Sequence, residues 1–89
     1  MYRLERTKTY IKEFSKVRFT NDQYVKFIMF IGKLLENKLL PLEAKDHLLK
    51  GEYKGNREFH ISGDLLVIYR IKDDALQLIR IGTHSELFK

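Results

Sequence analysis

"REFHISGDLLVIYRIKDDALQLIRI", residues 57–81, decides the fold. Apolar and polar residues alternate through "REFHI", "LLVIYRI" and "ALQLIRI", and the breaks "SG" (62–63) and "DD" (73–74) divide them. A period of two bounded by turn residues is the signal of strands, and breaks of two residues make hairpins. These residues therefore read as three consecutive antiparallel strands.

Upstream the period lengthens. Tyr2 to Arg6 alternates and reads as an edge strand, with Thr7 as an N-cap. Tyr10, Phe14 and Val17 then recur at helical spacing, which predicts a helix from about Lys8 to Arg18. A second helix, capped by Thr20 or Asn21 and running to about Glu36, carries Tyr24, Phe27, Ile28, Ile31, Leu34 and Leu35 on one apolar face. Helices followed by a meander define an α+β class: two N-terminal helices packed on one face of a small twisted, mainly antiparallel sheet. Between the halves, "NKLLPLEAKDHLLKGEYKGN" (37–56) contains Pro41, Gly51 and Gly55. A connection this long is functional or hides a helical turn, here near Leu42 to Asp46.

Composition narrows the class. Eighty-nine residues, 44% of them hydrophobic, suit one domain spanning 1–89. There is no cysteine, so neither disulfides nor thiolate metal sites assist the fold, as expected in a reducing compartment. No apolar stretch reaches the roughly 20 residues that span a bilayer, and no signal peptide is recognisable, so a cytoplasmic protein without a membrane partner is expected. Seventeen Lys and Arg against twelve Asp and Glu give a net charge of +5, which favours a polyanionic partner.

The hairpins bring polar residues together. With turns at Ser62–Gly63 and Asp73–Asp74, Ile61 pairs with Asp64, His60 with Leu65, Glu58 with Val67, Val67 with Arg80 and Leu65 with Gly82. Phe59, Ile61, Leu66, Ile68, Ile79 and Ile81 then share the face that receives the helices, and His60, Glu58 and Arg80 share the other. His60 and Arg80 lie two strands apart, about 10 Å at a spacing of about 4.8 Å, a gap suited to phosphate. After Ile81, Gly82 and Thr83 turn the chain and bring His84 to the edge where Asp64 sits. Glu58 is a candidate ion-pair partner of Arg80.

Several chemistries compete for these residues. No His-x-x-x-His or similar close pair supports a metal site, and no elbow motif surrounds Ser85 to support a nucleophilic triad. RNA cleavage fits better, because the substrate's 2′-hydroxyl is its own nucleophile and the protein need supply only a base, an acid and positive charge. Histidine, with an ordinary pKa of about 6.5, does either proton transfer, and arginine stabilises the phosphorane's added charge. Asp64 would orient a histidine or take a proton. Each residue taken alone also has a structural reading, a surface histidine or, for Phe88, a plug in the core.

Residues 45–88 carry a more specific signal. "KDHLLKGEYKGNREFHI", "GDLLVIY" and "IRIGTHSELF" occur in order, and the chain thereby resembles the YafQ branch of the RelE-type bacterial toxins. The resemblance implies a RelE-like fold and a type II toxin that is a ribosome-dependent endoribonuclease cutting messenger RNA, an mRNA interferase, without a cofactor. It also implies a cognate, DinJ-like DNA-binding antitoxin, through which alone operator DNA is contacted. Carried over by position, the site residues are His47, His60, Asp64, Arg80, His84 and Phe88. His60, with His47 or Asp64, takes the base side and His84 the acid side, with the labels interchangeable; Arg80 clamps phosphate. Phe88 positions a nucleotide or His84, and Lys50, Tyr53, Lys54 and Arg57 meet RNA or ribosomal backbone. The family often has Pro-Asp-Trp where this chain has Gly63, Asp64 and Leu65, so base stacking by that tryptophan is absent here or moves to Tyr53, Tyr69 or Phe88. The competing class is a non-catalytic basic nucleic-acid-binding module, or a degenerate toxin acting with its antitoxin in operator repression.

Overall fold

Thr7 and Thr20 begin the two helices by the same device. Each hydroxyl accepts a backbone N–H three residues on, from Tyr10 at 2.9 Å and from Gln23 at 3.1 Å, which satisfies amides that a helix start leaves orphaned. In the computed structural model, which describes residues 1–88, α1 spans Lys8–Phe14 and α2 Asn21–Leu35. The first helix is shorter than its spacing predicts. At Ser15 the side chain turns back onto the carbonyl of Lys12 at 2.6 Å, and Lys16 and Val17 bond three residues back, to Glu13 and Phe14. That tight turn delivers Val17 and Phe19 to the aromatic group of Phe14 and Phe27.

The α2 stripe is rotated from the expected one. Phe30, Ile31 and Leu34 are buried, whereas Tyr24 and Ile28 stand in solvent beside Val25 and Met29. Phe30 wins because its ring meets the edge of Phe59 in the sheet at 5.8 Å, a favourable T-shaped contact.

Five strands follow the order β1-β5-β4-β3-β2, with β1 Arg3–Arg6, β2 His47–Leu48, β3 Arg57–Ser62, β4 Leu65–Lys72 and β5 Ala75–Thr83. Only β1 is parallel to its neighbour. The Asp73–Asp74 turn is as expected: both residues hold positive φ, which aspartate tolerates, and Lys72 faces Ala75 across a two-residue loop. The other turn is Gly63–Asp64, one residue later than expected, with Ser62 facing Leu65 and an irregularity between His60 and Ser62.

Beyond the turns, one extra residue in β5 corrects the register. Tyr69 faces Leu78 but Ile68 faces Arg80, so Ile79 is inserted between them. Val67 therefore pairs with Ile81 and Phe59, and Leu66 with Gly82 and His60. The helix side holds Phe59, Ile61, Leu65, Val67, Tyr69, Leu76, Leu78 and Ile81. Leu66, Ile68 and Ile79, expected there, form instead a second apolar layer on the opposite side with Leu49, Tyr53, Leu87 and Phe88. Their burial there is possible because the 37–56 connection and the C-terminus fold over that face.

The connection contains 3₁₀ turns at Leu42–Ala44 and Gly51–Tyr53 and the two-residue β2. Asp46 locks it to the sheet, accepting from the Tyr69 hydroxyl at 2.7 Å and Arg57 Nε at 3.2 Å. Burial first, and then the Asp46 carboxylate, push the Tyr69 phenol well above its ordinary range. Removing this hydroxyl in Tyr69→Phe is expected to lower stability by about 1.5–3 kcal/mol, the usual scale for a bond to a charged group, as read by urea denaturation.

The C-terminus is a further difference from the expected turn. β5 continues through Thr83, whose side chain caps α3, His84–Leu87, in a reciprocal capping box with Glu86. Gly82 permits this close approach. A Cβ there would lie 3.1 Å from Glu86 Oε1 and 3.3 Å from Leu87 Cδ2.

Candidate active site

Alternation along β3 puts Glu58 and His60 on one side, and pairing of β2 with β3 sets His47 directly across from Glu58. Glu58 is only 4% exposed, and a carboxyl so enclosed needs partners. Its Oε2 lies 3.1 Å from His60 Nε2 and 3.5 Å from His47 Nε2. The two imidazole centroids are 6.4 Å apart. A carboxylate accepts, so His60 donates from Nε2 to Glu58 and its Nδ1 is left outside this bond. The Lys45 carbonyl accepts from His47 Nδ1 at 2.6 Å, the opposite ring nitrogen from the one His60 turns to Glu58, so Glu58 takes its hydrogen bond from His60 alone. The carboxylate that orients a histidine is thus Glu58, which the sequence suggested as the partner of Arg80.

Arg80 pairs instead with Glu13 from α1. Its Nε lies 3.1 Å from Glu13 Oε2 and its Nη2 meets the same oxygen. Nη1 donates to the Tyr53 hydroxyl at 2.8 Å. The Glu13 carboxylate, against the opposing effect of burial, and then Tyr53 hold the guanidinium even more firmly protonated than usual. Tyr53 meets Phe88 edge-to-face at 5.8 Å, and Phe88 lies 5.0 Å from the His84 ring. Arg80, Tyr53, Phe88 and His84 therefore form one contiguous chain of side chains, and its middle members Tyr53 and Phe88 pack on the layer of Leu66 and Ile68.

Asp64 sits beside this chain in another role. Its carboxylate and its carbonyl both accept the His84 backbone N–H, at 3.3 and 3.2 Å, which anchors the start of α3. An open groove of about 520 Å³ runs from Lys16 and Arg18 past Glu13 and Arg80 to Asp64 and Thr83. Lys50 and Lys54 are exposed on either side of the second 3₁₀ turn, while Arg57 is tied to Asp46. Tyr69, a suggested stacking residue, is 1% exposed on the helix side and has no surface to offer a base. Among the described residues, no group of three or more His, Cys, Asp or Glu is placed to hold a metal ion.

Sequence reading gave one residue of the site the wrong partner, Glu58, and missed another, Glu13. Glu58 was legible, since its spacing of two from His60 puts both on one strand face. Glu13 was not, because nothing in α1 marks which helix residue will reach β5.

The fold, a five-stranded sheet with α1 and α2 packed on one face, is shared with known bacterial toxins. The metal-bound toxin from Helicobacter pylori superposes with a TM-score of 0.86 at 36% identity, covering 99% of this chain and 100% of that one. YafQ in the Escherichia coli DinJ–YafQ complex gives a TM-score of 0.85 at 29% identity, with both chains fully covered. The mRNA interferase toxin YafQ of Escherichia coli B is 36% identical over 90 residues, 96% of this chain and 98% of that protein. The family description "Bacterial toxin of type II toxin-antitoxin system, YafQ" matches residues 2–89, and the chain belongs to this family.

Proposed function

We propose that this chain is an mRNA interferase, an endoribonuclease that cuts message on the translating ribosome and is neutralised by a cognate DinJ-like antitoxin. The observation that carries the reading is His60, hydrogen-bonded to the buried Glu58 and flanked by His47, on the same sheet face as Arg80. Family membership and the interferase activity of the Escherichia coli relative support it. The solved DinJ–YafQ complex supports the antitoxin partner, through which operator DNA is reached. No helix among the described residues is long and apolar enough to cross a membrane, and the proposed place of action is the cytoplasm.

Cleavage proceeds through the message's own 2′-hydroxyl. His60 Nδ1 takes the hydroxyl proton as the 2′-oxygen bonds to phosphorus, while Glu58 stabilises the imidazolium that forms. Arg80 stabilises the charge added to the phosphorane oxygens. The bond from phosphorus to the 5′-oxygen then breaks, and His84 supplies the proton to the leaving oxygen. The products are a 2′,3′-cyclic phosphate end, which opens to a 3′-phosphate when water adds and its 2′-oxygen leaves, and a 5′-hydroxyl; His60 and His84 exchange roles if substrate enters in the opposite sense. Phe88 holds His84 against a nucleotide, Tyr53 braces Arg80, and Lys50, Lys54 and Arg57 meet backbone phosphates.

Primer extension on a message under translation, with and without purified protein, tests this reading. New 5′ ends at codon-related positions are expected. Intact message bound with steep salt dependence would instead identify a non-catalytic nucleic-acid-binding module.

A further inference from the structure

Glu13 is anchored to the strand that carries Arg80. β1 ends at Arg6 and pairs with β5 only as far as Leu78, so the outer edge of β5 is unpaired by strand from there on. Glu13 reaches across this gap and accepts the Ile81 backbone N–H on Oε1 at 3.2 Å. The same carboxylate takes the Nε and Nη2 edge of Arg80, and both side chains are largely enclosed, at 25% and 21% exposure. A solvent-exposed ion pair would fix little. Here a backbone amide immobilises the carboxylate, and the two-point contact then immobilises the guanidinium.

We propose that Glu13 is a positioning residue for message cleavage: by holding the Nε/Nη2 edge of Arg80, it aims the remaining Nη1 and Nη2 donors at the scissile phosphate. Of the five guanidinium N–H bonds, the described residues engage Nε, one on Nη2 and one on Nη1, leaving one on each terminal nitrogen. Two donors on adjacent nitrogens match two phosphate oxygens. The proposal rests on the reading of Arg80 as the phosphate clamp.

The sign of the effect separates positioning from simple electrostatics. Glu13 reduces the positive charge facing a polyanion, so deleting it should by charge alone tighten substrate binding. Loss of aim instead lowers kcat, because the clamp acts on charge that develops in the transition state. Glu13→Ala, Glu13→Gln and Arg80→Ala proteins should be assayed beside the wild type on translating ribosomes, with kcat and KM separated and thermal melting recorded.

The expected result is a fall in kcat of about 10- to 100-fold for Glu13→Ala, the scale of a small misplacement of a catalytic group, with KM within about two-fold. Glu13→Gln, whose side-chain oxygen still accepts from Ile81, should lose about three-fold or more. Wild-type kcat in Glu13→Gln or in folded Glu13→Ala overturns the proposal, as does a loss confined to KM. If Glu13→Ala melts below the assay temperature, Glu13→Gln decides alone. Wild-type activity in Arg80→Ala removes the clamp reading itself, whereas an inactive Arg80→Ala beside fully active Glu13 variants removes only the role of Glu13.

Discussion

Arg80→Ala is expected to lower message cleavage by about 10²- to 10³-fold, the scale on which removing one preorganised donor to a transition-state anion costs an enzyme. The structure gives two reasons for so large an effect. The guanidinium is held on both sides, by Glu13 and by the Tyr53 hydroxyl, so little reorganisation is needed when negative charge develops. It is also three-quarters enclosed, on the strand position opposite the buried Ile68, where water screens its charge less than in bulk. Arg80→Lys should recover only part of the rate, because an ammonium cannot satisfy Glu13 and Tyr53 and still offer paired donors. Induced expression in cells reads the same effect: the wild type arrests growth and fragments message, and Arg80→Ala does neither. Full growth arrest by folded Arg80→Ala would remove the arginine from the mechanism.

His60→Ala is expected to cost about 10²- to 10⁴-fold, the usual contribution of a positioned general acid or base. Glu58→Gln separates the histidine from its orientation. The amide keeps a similar volume in the buried site but loses the charge that stabilises the imidazolium, so cleavage should fall while the fold persists. A larger fall in His60→Ala than in His47→Ala would support His60 as the base, since it lies nearer the shared carboxylate, at 3.1 against 3.5 Å. Unchanged cleavage in folded His60→Ala would overturn its assignment.

The capping threonines and the Asp73–Asp74 turn were legible because they are local: a helix start needs an acceptor within three residues, and a hairpin needs residues that tolerate positive φ. The common face of Glu58, His60 and Arg80 was also legible, although the expected register was wrong. The shift between His60 and Ser62 and the inserted Ile79 moved the pairings of β4, while His60 and Glu58 still alternate along β3 and Arg80 still faces them across Ile68. The error fell instead on Leu66 and Ile68, which a one-residue slip carried to the other side of the sheet. Continuous apolar runs such as "LLVI" conceal such a slip, since both faces of β4 are buried and no polar position marks the outside.

The C-terminal segment "IRIGTHSELF" illustrates the division most directly. By itself the sequence determined an α+β class, three meandering strands, two capped helices and a concentration of histidine and arginine near one sheet edge, because those depend on periodicity and on residues close in the chain. Tertiary structure alone decided the partners of that chemistry. Asp64 holds the backbone of His84, Glu58 takes His60 with His47 alongside, and Glu13 reaches Arg80 across 67 residues of sequence. Such pairings follow from where β1 stops, where β5 bulges and how the connection folds over the sheet. They depend on the packing of the whole chain, and no local pattern encodes them.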